Sequence, residues 1–124
     1  MRYGSMTFTI PGNPVTKKNS QRILKTRDGR SFIAPSEQYK EYEEIAGWFV
    51  PYEQIDSPVN VKCLYFMENL RRVDLVNLLE ATCDILVKYG CLKDDSSKIV
   101  VSHDGSRVLL DRKDPRVEVT IERI

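Results

Sequence analysis

Asp74-Leu75-Val76-Asn77-Leu78-Leu79-Glu80-Ala81-Thr82-Cys83-Asp84-Ile85-Leu86-Val87-Lys88-Tyr89-Gly90 is the stretch whose pattern decides the architecture. At about 100° per residue, Leu75, Leu78, Leu79, Thr82, Ile85, Leu86 and Tyr89 gather within roughly 120° of one another. The spacing predicts an amphipathic helix over 74–89, with Gly90 as its C-terminal cap. Asp74, Asn77, Glu80, Ala81, Asp84 and Lys88 share the other stripe. The plain account of that stripe is a wetted surface on which Asp84 and Lys88 form an i,i+4 pair. A chemical account competes with it. Asp74 opens the helix, where the helix dipole favours a negative charge. It also follows Arg71-Arg72, whose guanidiniums suit a phosphate.

Outward from this helix the chain alternates short strands with one more helix. Val59–Met67 begins as an alternating strand and ends as an apolar run, and Met6–Ile10 is a second strand ended by Pro11-Gly12-Asn13-Pro14. Gln21–Thr26 and Arg30–Ala34 read as a hairpin turning at Arg27-Asp28-Gly29. Ser36 is placed to cap a helix carrying Tyr39, Tyr42, Ile45, Ala46 and Phe49, which Pro51 stops. Lys98–Ser102 and Arg116–Ile121 supply two late strands. The expected fold is α/β of the α+β kind, a small mixed sheet packed with two main helices, in one domain over 1–124.

At 124 residues, 41% hydrophobic and 30% charged, the chain suits a soluble globular fold. No apolar run approaches the ~20 residues that cross a bilayer, and the N-terminus leads into a strand, not an apolar signal core. The expected location is therefore the cytoplasm, with no membrane partner. Cys63, Cys83 and Cys91 are an odd number without a secretory signal, which fits buried reduced thiols rather than disulfides. Cys83, Cys91 and His103 match no zinc spacing. His103, the one histidine, stands before Asp104-Gly105 and reads as a turn residue more readily than as a general base.

Net charge is only +1, but it is unevenly spread. Residues 1–30 carry seven Lys and Arg against one acid, whereas 31–60 carry six acids against one base. The basic N-terminal third is a candidate phosphate-facing surface. A further acidic pair, Asp94-Asp95, lies in the loop after the 74–89 helix. If that loop returns to the helix, Asp74, Glu80 and Asp95 offer an all-oxygen site for Mg²⁺, with Mn²⁺ as a substitute. Such an ion polarises a phosphate and generates a hydroxide nucleophile.

Asp74-Leu75-Val76-Asn77-Leu78-Leu79-Glu80-Ala81, then Asp84-Ile85-Leu86, then Asp94-Asp95-Ser96, resembles the RusA family of Holliday junction resolvases. Ile10-Pro11-Gly12-Asn13-Pro14 with Lys17-Lys18-Asn19 is similar to the family's N-terminal segment, and Ser102–Arg107 and Pro115–Val119 to the C-terminal part of phage and prophage members. The resemblance implies a homodimeric, Mg²⁺-dependent endodeoxyribonuclease that resolves four-way junctions by paired phosphodiester hydrolysis in recombination and repair. It places the family's first and third catalytic aspartates on Asp74 and Asp95, and its asparagine on Asn77. Two positions depart: Val76 stands where the second aspartate belongs, and Glu80 where a lysine belongs. One turn separates 76 from 80, so a carboxylate lost at 76 is regained on the neighbouring turn. On this reading Asp74, Glu80 and Asp95 are catalytic and metal-binding, with Asn77 and Asp84 in support. Lys17, Lys18, Arg71 and Arg72 neutralise DNA phosphates. The alternative is a catalytically silent protein that binds junctions without cutting them.

Overall fold

The computed structural model describes residues 4–17, 21–71 and 73–124, and Lys18 and Arg72 of the expected DNA contacts lie outside the described residues. The described residues form β1 (Ser5–Pro11), β2 (Gln21–Lys25), β3 (Ser31–Pro35), α1 (Glu37–Gly47), β4 (Val59–Met67), α2 (Leu75–Lys88), β5 (Val100–Ser102), β6 (Arg107–Leu110) and β7 (Arg116–Arg123). β4 is the spine. Its odd-numbered residues Val59, Val61, Cys63, Tyr65 and Met67 are all buried, the period of two that a strand with one core face demands. β7 lies antiparallel along one edge, from Val59↔Arg123 to Phe66↔Arg116, and β1 continues the sheet beyond it, Ser5↔Glu122 to Pro11↔Arg116. On the other edge β4 pairs in parallel with β5 at its start and with β6 at its end. Parallel pairing needs a long crossover, and α2 supplies it. The sheet is thus mixed and packs with two helices, the α+β fold expected.

α2 lays Leu78, Ile85 and Leu86 on the core with Val117, Val119, Ile121 and Ile10 from the sheet. The Tyr65 hydroxyl donates to Thr82 Oγ1 at 2.7 Å, and Thr82 Oγ1 donates in turn to the Leu78 carbonyl at 3.0 Å. Those two bonds let β4 bury a tyrosine against the helix without an orphaned hydroxyl.

Three expectations are corrected. Ala81, placed on the open stripe, is buried at 4% exposure, because the core wraps further around α2 than the apolar residues alone outline. Asp84 and Lys88 do not pair with each other: Lys17 reaches Asp84 at 3.0 Å, and Lys88 bonds Glu43 of α1. Of Tyr65-Phe66-Met67, the apolar end of the β4 segment, Tyr65 and Met67 are buried in the protomer itself. The α1 end keeps Ile45, Trp48 and Phe49 exposed. Finally, β6 was not expected at all. Between β5 and β6 the backbone of β4 is served by side chains: His103 Nδ1 donates to the Val61 carbonyl at 2.8 Å, and the Cys63 N–H donates to Ser106 Oγ at 3.0 Å. Buried Asn60 receives the Asp104 N–H at 2.7 Å and donates to the Asp104 carbonyl at 3.1 Å. The Ser102–Arg107 stretch therefore stands in for missing ladder bonds, and His103 serves as a structural residue there.

Candidate active site

Asp74 is the N-cap of α2, not its first helical residue. Its backbone is extended (φ −118°, ψ 113°), and its Oδ1 accepts from the Val76 N–H at 2.9 Å and the Asn77 N–H at 3.3 Å. Capping satisfies two donors that the first turn leaves open. It also fixes the carboxylate at the positive end of the helix dipole, on the surface.

The chain around Asp74 forms a cleft of about 180 Å³ lined by Asn13, Thr16, Gln38, Asn69, Arg71 and Asp74, among others. Each wall has a local cause. Asn13 Oδ1 accepts the Glu68 N–H at 2.9 Å, which ties the segment after β1 to the end of β4. Asn69 Oδ1 accepts the Arg71 N–H at 3.0 Å and turns the chain so that Arg71 shares the cleft with Asp74. Gln38 comes from the first turn of α1, behind its Ser36 cap, whose Oγ accepts the Tyr39 N–H at 3.2 Å. The arginine expected beside the first aspartate is thus there. Asn13, Thr16 and Gln38 were not singled out in the sequence, because nothing local joins them to residue 74.

Glu80 and Val76 are both exposed, Val76 at 69%. Positions 76, 80 and 83 fall within roughly 60° on the helix wheel, and Glu80 stands about 9 Å along the axis from Asp74. Burial pushes the Cys83 thiol up to about 12, and Cys63, Asp95 and Asp84 add to the shift. Bonds on both sides hold the 94–95 loop. Before it, the Lys93 N–H donates to the Ile55 carbonyl at 2.9 Å; after it, the Ile99 and Val100 N–H groups both donate to the Ser96 carbonyl at 2.9 Å. Asp94 turns back to accept the Asp95 N–H at 2.9 Å, while Asp95 is exposed.

Asp74 and Glu80 are thus about 9 Å apart along the axis of α2, and Asp95 is in the loop that follows the helix. Among the described residues no three His, Cys, Asp or Glu side chains converge as a ready-made metal site. The donor set still suits a hard cation. Mg²⁺ is usually held by one or two carboxylates with substrate phosphate and water, not by a protein cage. Asn77 is half-buried beside Asp74. Asp84 is held by Lys17, so that expected phosphate contact is already ion-paired within the protein. His103 Nε2 is 4.0 Å from Cys83 Sγ, while Cys63, Cys83 and Cys91 are free, buried thiols.

No helix among the described residues is long and apolar enough to cross a membrane. No individual curated protein matches the chain. The family model described as Endodeoxyribonuclease RusA matches residues 11–122, a span that takes in β1's end, the cleft, α2, the 94–95 loop and nearly all of β7. A match of that extent makes the chain a member of the RusA endodeoxyribonuclease family, an enzyme that hydrolyses DNA.

Proposed function

We propose that the protein is a Mg²⁺-dependent, structure-selective endonuclease that resolves four-way DNA junctions as a homodimer. The observation that carries this reading is Asp74, fixed by its own helix cap on the rim of a cleft it shares with Arg71, within a chain of the RusA family. Asp74, Glu80 and Asp95 would hold one or two ions, each shared with substrate phosphate and water. When bound, such an ion supplies Lewis-acid polarisation of the phosphodiester and a water of lowered pKa. The chain's residues do the rest. Arg71 holds the scissile phosphate by charge-assisted hydrogen bonds. The helix dipole and the capping bonds keep the Asp74 carboxylate oriented without reorganisation as substrate arrives. Asn77 supports Asp74 through the backbone N–H it donates. Backbone contacts of this kind carry no sequence information, so selectivity comes from the spacing of two DNA arms on a two-fold dimer.

The test is cleavage of a synthetic four-way junction and of a linear duplex of equal length, with Mg²⁺ and with EDTA. Cutting of the junction that EDTA abolishes is the expected result; binding without cutting identifies a silent junction-binding protein. Glu80 is examined in the same assay. Glu80→Gln is expected to abolish Mg²⁺-dependent cleavage and Glu80→Asp to weaken it. Because position 76 is open to solvent, Val76→Asp in the Glu80→Gln background is expected to restore part of the activity. Full activity in Glu80→Gln would show that the carboxylate has not moved to 80.

A further inference from the structure

Four of the seven basic residues of the N-terminal third, Arg22, Lys25, Arg27 and Arg30, fall in nine residues of β2 and its turn, against the single acid Asp28. β2 and β3 pair with each other, Gln21↔Pro35 to Lys25↔Ser31, and form a two-stranded sheet separate from the main one.

Its tip is ordered by its own bonds. The Thr26 N–H donates to the Arg30 carbonyl at 2.8 Å and the Gly29 N–H to the Thr26 carbonyl at 3.1 Å, with Gly29 at φ +86°, a conformation that favours glycine. Arg30 Nε holds Asp28 at 3.2 Å, and the Thr26 hydroxyl bonds the same carboxylate. The one acid is thus occupied inside the turn. Lys25 and Arg27 are exposed, and no acid among the described residues pairs with them.

The ribbon's place follows from the chain. Thr16, on its way out, and Gln38, just after its return, both line the cleft that holds Asp74. Five residue pairs extend about 16 Å from that root, more than the ~12 Å width of a DNA major groove, which admits a two-stranded ribbon.

We propose that the β2–β3 ribbon is an arm, rooted on the rim of the Asp74 cleft, that lies against a DNA duplex and grips its phosphates with Lys25 and Arg27. This rests on the nuclease reading and names a surface that holds a DNA arm while the cleft acts. The experiment measures affinity for a four-way junction and for linear duplex over a salt series, with wild type, the double variant Lys25→Gln/Arg27→Gln, and the control Lys113→Gln/Arg123→Gln. The control removes equal charge from exposed sites outside the ribbon. The ribbon variant leaves the Asp28–Arg30 turn intact. It is expected to bind about tenfold more weakly and to lose about 1.8 from the slope of log K against log salt, 0.9 for each phosphate contact removed. The control is expected to lose much less, and circular dichroism and melting to match wild type throughout. Unchanged affinity and slope in the ribbon variant, or an equal loss in the control, would overturn the arm. Slope loss with equal wild-type affinity for junction and duplex supports the arm while ending junction selectivity. Wild type that binds neither DNA ends both.

Discussion

Asp74 serves helix and chemistry at once, and the two can be separated. Asparagine caps a helix about as well as aspartate, whereas alanine costs about 1 kcal/mol. Asp74→Asn is therefore expected to melt like wild type but to cut DNA about 100-fold more slowly or worse, the scale of losing one group that stabilises transition-state charge. Asp74→Ala is expected to lose both. Retained cleavage in Asp74→Asn would reduce the residue to a cap. The thiols make a second test at this scale. Burial pushes Cys63, Cys83 and Cys91 each up to about 12. A thiol whose pKa is raised stays protonated and unreactive well above neutrality. Ellman's reagent at pH 8 is expected to find no reactive thiol in the native protein and all three in denaturant. Asp74 and Asn77 were legible in the sequence because a helix start and a 3.6-residue period fix where they point. The partner of Asp84 was not: Lys17 lies 67 residues away, and periodicity could only offer Lys88.

At the scale of elements, β4 and α2 were legible because each repeats its own period over enough residues to be unambiguous. β6 has four residues and no clear alternation, and its place depends on the Ser102–Arg107 side chains that bridge to β4. Ser106→Ala removes the oxygen that the Cys63 N–H meets. Leaving a donor unsatisfied in a part-buried setting costs about 1–3 kcal/mol, a fall of several degrees in melting temperature for a domain of this size. Ser106→Thr, which keeps the hydroxyl, is expected to lose less. Equal melting of Ser106→Ala and wild type would mean that the hydroxyl contributes nothing to the join between β5 and β6.

At the scale of the molecule, the fold class was readable from the order of elements, but the convergence of the site was not. Asn13, Gln38 and Asp74 meet because β1's exit is bonded to the end of β4 and α1 starts beside it, a fact of topology that no local pattern contains. Two-fold symmetry is the further requirement of the proposed function, since two matched cuts need two sites facing one junction. The most direct test maps the cuts made in an end-labelled four-way junction by wild type and by Asp74→Asn, with Mg²⁺ present. Wild type is expected to leave paired nicks at symmetric positions in opposing strands, and Asp74→Asn to leave the junction bound and intact. Nicks that are unpaired or equally frequent in linear duplex, or undiminished in Asp74→Asn, would overturn the assignment of Asp74 to junction resolution.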